Sequence, residues 1–136
     1  MLDSKTKKKL YDRLVSIVGE EHVTQQETDR VLNAHDCWPL SEAKIRAGEL
    51  LPLADMIVFP ASSEEISQIL IVANDLEIPV IPVGGGAGTC GGTLAIYGGI
   101  QLDLKRMVKI FEIDHESMTV KVEAGVMGID LEEEVN

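Results

Sequence analysis

The chain has 136 residues, with 12 Lys and Arg against 23 Asp and Glu and a formal net charge of −11. That length holds one domain and counts against a complete two-domain enzyme. The acidity argues against nucleic acid and anionic membranes as partners, since both need clustered Lys and Arg.

The apolar share of 45% is that of a globular chain. No run approaches the roughly 18 apolar residues of a membrane span, and Met1 to Lys9 has no apolar run after it, as a signal peptide would. A cytoplasmic location with reduced thiols is the expectation. Cys37 and Cys90 lie far apart and form neither a zinc pattern nor a disulfide framework, so no metal site is assigned.

Leu10, Leu14, Ile17 and Val18 recur on one face of a helix that Gly19 should stop. The Lys7-Lys8-Lys9 run reads as its solvated face. Residues 24–55 carry weak signals, with a short helix expected over Ser41 to Ala47. Within that stretch His35-Asp36-Cys37 reads as a turn and Trp38 as a packing anchor. His22 and His115, in polar surroundings, are expected to be exposed.

The pattern sharpens at Met56-Ile57-Val58-Phe59, an apolar run closed by Pro60 that predicts a buried strand. Ser62 and Glu65 form a capping-box pattern before a helix whose apolar face is Ile66, Ile69, Leu70 and Ala73. That helix should end near Leu76, with a second strand from Ile78 to Pro82. Strand, helix and strand make a βαβ unit with a parallel, right-handed crossover. A strand over Ile100 to Leu104 is next. Lys109 to Ile113 and Met118 to Ala124 predict a hairpin, and a helix begins at Asp130. The fold class expected is α+β: a small mixed sheet with a βαβ unit, an antiparallel hairpin after it, and helices packed on the sheet.

Between the second and third strands lies Gly84-Gly85-Gly86-Ala87-Gly88-Thr89-Cys90-Gly91-Gly92, six of whose nine residues are glycine. Glycines at this density let backbone approach a ligand and let successive amides point into one concavity, a nest for phosphate oxygens. The Lys-Ser/Thr ending of a P-loop is absent, which argues against NTP hydrolysis. No clean Gly-x-Gly-x-x-Gly opens a helix either, which disfavours a Rossmann site. No Lys or Arg occurs from residue 47 to residue 104, so any pyrophosphate here would rest on neutral amides and Thr89.

Taken in order, Pro60-Ala61-Ser62-Ser63-Glu64-Glu65-Ile66, Ala73-Asn74, Ile78 to Pro82, the glycine loop, Gly99 to Met107 and Glu123-Ala124-Gly125-Val126 resemble a known family. It is the N-terminal FAD-binding (PCMH-type) subdomain of FAD-linked oxidases of the vanillyl-alcohol oxidase type. Relatives are the flavoprotein subunits of glycolate oxidase and D-lactate dehydrogenase, and alkyl-dihydroxyacetonephosphate synthase. The resemblance covers residues 50–131. It implies that Val83, Gly84, Gly85, Gly86, Ala87, Gly88 and Thr89 wrap the FAD pyrophosphate, with Cys90, Gly91 and Gly92 continuing the loop. Many members have Arg at the place of Val83 and Thr at that of Ala87. Covalent members carry a His where this chain has Ala87, so the resemblance implies non-covalent FAD.

The resemblance further implies an N-terminal helical segment (1–48) and a partial FAD-binding subdomain (49–136) that stops inside a helix. Such a fragment is expected to be inactive alone, and no catalytic residue is assigned in it. The intact protein would oxidise a small-molecule substrate, a 2-hydroxy acid or related alcohol, by hydride transfer to flavin. It leaves room for an electron-transfer partner, and an incomplete sheet predicts self-association into a homo-oligomer. The competing readings are a stand-alone nucleotide- or protein-binding module without catalytic activity, and an acidic interaction scaffold.

Overall fold

The structure is a computed structural model and describes residues 2–136. Helix α1 (Ser4–Val18) opens where Asp3 folds back on it. Asp3 Oδ1 accepts from the Lys5 and Thr6 amides at 2.9 and 3.1 Å, and Oδ2 from the Thr6 hydroxyl at 2.6 Å. The bonds from the Thr6 hydroxyl and amide hold the Asp3 carboxyl below its ordinary value. The cap is therefore complete above the carboxylate range and weakens as pH falls through the lowered value. Gly19, at φ +90°, stops the helix as expected. Leu10, Leu14 and Val18 are buried and Ile17 is half-buried.

The weakly patterned stretch contains β1 (Val23–Thr24), α2 (Glu27–Leu32) and α3 (Pro39–Arg46). Pro39 begins α3, where a missing amide is no loss. Strand β2 (Met56–Val58) follows, then α4 (Ser63–Asp75). Ser62 Oγ accepts from the Glu65 amide at 3.2 Å as the pattern predicts. The reciprocal bond differs: Glu65 Oε2 takes the Ala61 amide, at 2.7 Å, rather than that of Ser62. With Ser62 extended at φ −149° and ψ 162°, the amide before it faces the carboxylate.

Helix α4 ends in a Schellman motif. The Ile78 amide donates to Ala73 O at 2.9 Å and the Glu77 amide to Asn74 O at 3.1 Å. Glu77 occupies the left-handed position, at φ +53°, that glycine usually fills.

Strands β3 (Val80–Val83) and β4 (Ile100–Asp103) complete a four-stranded sheet of order β1-β2-β4-β3. β1 is antiparallel to β2, whereas β2 and β3 each pair in parallel with β4. The βαβ unit expected from the sequence is present, with β4 inserted between its two strands. The burial of the strands matches that order. All four residues of β4 are buried, which suits the centre, and β3 carries Pro82, which suits an edge.

One face of the sheet, through Met56, Val58, Ile100 and Leu102, packs with Leu10, Leu14 and Val18 of α1 and Ile69, Val72 and Ala73 of α4. Ile57, Gln101 and Asp103 alternate onto the opposite face and are also buried. There the Gln101 side chain donates to Asn33 O at 2.8 Å, tying the sheet to the end of α2.

Strands β5 (Ile110–Asp114) and β6 (Thr119–Val122) form a separate antiparallel pair, as the hairpin pattern predicts. Helix α5 (Gly128–Val135) begins two residues ahead of the expected Asp130. The α+β class is borne out: a small mixed sheet, a hairpin and helices packed on the sheet.

The strained helix end gives a direct test. A left-handed residue with a Cβ costs about 1–2 kcal/mol, partly offset by the unfolded-state freedom of glycine. Glu77→Gly should therefore stabilise the chain by about 0.5–1 kcal/mol in urea denaturation.

Candidate functional site

The three parallel strands end on one edge of the sheet, at Val58, Val83 and Asp103. Open sheets with parallel strands place ligands outside such carboxyl ends. The segments leaving them are stitched together. Arg106 Nη1 donates to Phe59 O at 2.6 Å, across the ends of β2 and β4. The Leu104 amide donates to Val83 O at 2.8 Å, extending the β3–β4 ladder. The Gly125 amide donates to Met107 O at 2.9 Å. Gly125 is the only residue type that fits there, because a Cβ would overlap Leu104 O.

From this edge the glycine loop leaves β3. Residues 84–92 form bends and turns with no helix after them, in agreement with the reading against a Rossmann site. Among the described residues, none of the nine amides from Gly84 to Gly92 donates to a backbone acceptor. The loop is mostly exposed. On this mostly exposed surface the amides are free to meet water or a ligand, and no side chain of residues 84–92 is cationic.

Two anchors hold this surface. At its start, a Cβ on Gly84 would lie 3.1 Å from Ala124 O, and one on Gly85 3.2 Å from Met127 Sδ, just before α5. At its far end the loop rests on residues 36–38. The Cys37 amide donates to Gly88 O at 2.8 Å. The Trp38 ring lies against Gly91, where a Cβ would stand 2.8 Å from Cε3. Gly91 is also left-handed, at φ +76°. Trp38 is thus a packing residue of the loop, as its setting beside Pro39 suggested.

Asp36 lies beneath this contact and is only 6% exposed. Its Oδ1 accepts from the Trp38 amide at 3.0 Å and the Ser41 hydroxyl at 3.4 Å. Its Oδ2 is buried without a partner. In sequence Asp36 reads only as part of a turn, because its contact with a loop 52 positions away is not local.

The β3–β4 register also brings Lys105 and Arg106 to this edge, which the absence of basic residues up to 104 did not reveal. Both are engaged elsewhere. Lys105 Nζ is 3.0 Å from the buried Asp103 Oδ2, and Arg106 is held on Phe59 O.

The other residues weighed in the sequence lie apart or stay bland. Cys37 and Cys90 are both free and exposed. His115 is exposed, whereas His22 is half-buried, because the 3-10 turn Glu20–His22 delivers it to β1 and its carbonyl accepts from the Phe59 amide at 3.0 Å. His35 lines an apolar cavity of about 400 Å³ with Val31, Leu32, Ile45 and Leu50, apart from the glycine loop. Among the described residues no cluster of His, Cys, Asp and Glu could hold a metal ion, and no helix is long and apolar enough to cross a membrane.

The Gly91–Trp38 contact is testable by a double-mutant cycle. Gly91→Ala should destabilise the chain by about 1–3 kcal/mol, through a left-handed alanine and overlap with the ring. Trp38→Ala removes the overlap but not the strain. The double variant should therefore lose less than the sum of the single changes in urea denaturation.

Comparisons with known proteins show the family and agree with the fold. The family described as FAD binding domain matches residues 54–136. The glycolate oxidase subunit GlcD of Bacillus subtilis (strain 168) is 30% identical over 124 residues, covering 91% of this chain and 24% of that protein. The mitochondrial cytochrome D-lactate dehydrogenase of Arabidopsis thaliana is 38% identical over 81 residues, covering 60% of this chain and 14% of that protein. The chain thus spans a quarter or less of the length of these relatives. Among solved structures, an alkyldihydroxyacetonephosphate synthase superposes with a TM-score of 0.82 at 23% identity, over 94% of this chain and 24% of the other. Substrate-bound p-cresol methylhydroxylase superposes with a TM-score of 0.81 at 20% identity, over 98% of this chain and 25% of the other. The chain belongs to the FAD binding domain family of the FAD-linked oxidoreductases.

Proposed function

We propose that residues Val83 to Gly92 hold the pyrophosphate of a non-covalently bound FAD through backbone amides. The observation that carries this reading is the run of nine amides without a backbone acceptor, on the edge where three parallel strands end. The residues present fit the group. Gly84, Gly85, Gly86 and Gly88 keep side chains out of the ligand's approach, and Ala87 adds only a methyl. A hydrogen bond to a charged acceptor contributes about 1.5–3 kcal/mol. Ala87 offers no nucleophile, which supports non-covalent attachment.

The protein's reaction is, on this reading, oxidation of a 2-hydroxy acid or related alcohol. Relatives named for glycolate, D-lactate and D-2-hydroxyglutarate support that substrate class. Bound FAD supplies the acceptor for hydride leaving the hydroxyl-bearing carbon. This chain's own residues do the binding: they position the cofactor's phosphates and leave the chemistry to groups outside the loop. We assign the cofactor-binding role to residues 49–136. Residues 1–48 act as support, since α1 buries the sheet's inner face and residues 36–38 carry the loop.

Equilibrium dialysis of this 136-residue chain tests the reading. FAD and ADP, which both carry the pyrophosphate, should bind, and riboflavin should not. Acid precipitation should release all flavin into the supernatant. Ala87→Glu places a carboxylate on an exposed position of the loop and should weaken FAD binding at least ~10-fold with the unfolding midpoint unchanged. Equal uptake of riboflavin, or an Ala87→Glu chain that binds FAD like the parent, would exclude it.

A further inference from the structure

The partnerless oxygen of Asp36 is the feature that the cofactor reading leaves unexplained. The residue is 94% buried, by its 6% exposure, yet only half of its carboxylate is used. Oδ1 fastens the turn into α3 through the Trp38 amide and the Ser41 hydroxyl. Oδ2 faces the glycine loop: a Cβ on Gly88 would stand 3.7 Å from it. A buried carboxylate oxygen without a hydrogen bond is costly, and the simplest compensation is a donor that arrives in another state of the site. The neighbouring loop residues supply such donors, since the amides of Gly88, Thr89 and Cys90 have no backbone acceptor.

As a bare charge, Asp36 is in the wrong place. A carboxylate beside a pyrophosphate loop repels the ligand, and a chain of net charge −11 has no need of one more acid there. As a hydrogen-bond acceptor it is well placed. Its Oδ1 holds the strap of residues 36–38, which gives the Cys37 amide to Gly88 O and the Trp38 ring to Gly91. We propose that Asp36 is the positioning residue of the cofactor loop: Oδ1 fixes the strap on which the loop rests, and Oδ2 accepts an N–H or hydroxyl donor of residues 88–90 when the loop closes on its ligand. Asp36 does not touch the reacting atoms. It sets the direction of the amides that bind phosphate.

The inference rests on the loop being the FAD site, and the experiment separates the two. Asp36→Asn keeps one acceptor oxygen for the Trp38 amide and Ser41 but replaces the second with an NH2 donor. If the carboxylate acted only as a charge, this change would tighten FAD binding. The acceptor role predicts the reverse: FAD affinity in equilibrium dialysis falls about 10-fold, with the urea unfolding midpoint unchanged. With FAD at saturation, hydrogen exchange at the Thr89 and Cys90 amides should slow in the parent chain and slow less in the variant. Asp36→Ala, studied without ligand, should speed exchange of the Cys37 amide, because the strap then loses its Oδ1 anchor. Unchanged or tighter FAD binding by Asp36→Asn, or Cys37 exchange unaffected by Asp36→Ala, overturns the proposal. A parent chain that takes up no FAD overturns the cofactor reading and, with it, the role of Oδ2; Cys37 exchange then decides the role of Oδ1 alone.

Discussion

The parallel pairing of β3 with β4, in register from Val80↔Ile100 to Val83↔Asp103, is the constraint on which the rest depends. It fixes where β3 ends, and so where the glycines begin. It also places Leu104 to Met107 beside that point, where Gly125 docks and leads on to α5. The loop therefore leaves a rigid edge and is pinned at both ends, by Ala124 and Met127 on one side and by residues 36–38 on the other. Glycine content alone would make a flexible segment, since each glycine adds freedom to be lost on ordering. Anchoring lowers that loss, so less ordering would remain to be paid by any ligand the loop binds.

Much of this was legible in local pattern. The apolar spacing of Leu10, Leu14 and Val18 locates α1 because burial of one face at period 3.6 is a local property. The same holds for α4 with its Ser62 cap, and for the hairpin with its alternating second arm. The glycine loop announces itself because backbone approach needs glycine whatever the surroundings.

What escaped is non-local. β1 is two residues long and exists because Val23 and Thr24 find partners on β2. The insertion of β4 between β2 and β3 is a pairing among three strands far apart in the chain, which no single window contains. Asp36 reads as an ordinary turn residue until the fold brings Gly88 and Gly91 onto its neighbours. The gap in basic residues was a true feature of the sequence but an incomplete one in space, since β4 delivers Lys105 and Arg106 to the same edge. Their side chains are engaged by Asp103 and by Phe59 O.

On the proposed reading, neutral backbone and not a basic patch captures an anionic cofactor on a chain of net charge −11. The dependence of FAD affinity on salt reads this most directly. Neutral amides bind at short range and are little screened, whereas the long-range repulsion between an acidic protein and an anionic ligand is screened within about 10 Å at 0.1 M salt. Affinity should therefore stay level or rise between 20 and 300 mM sodium chloride, as ~15-fold more salt relieves the repulsion. A steep fall in affinity over that range would mean that Lys or Arg side chains, and not the backbone amides, hold the phosphates.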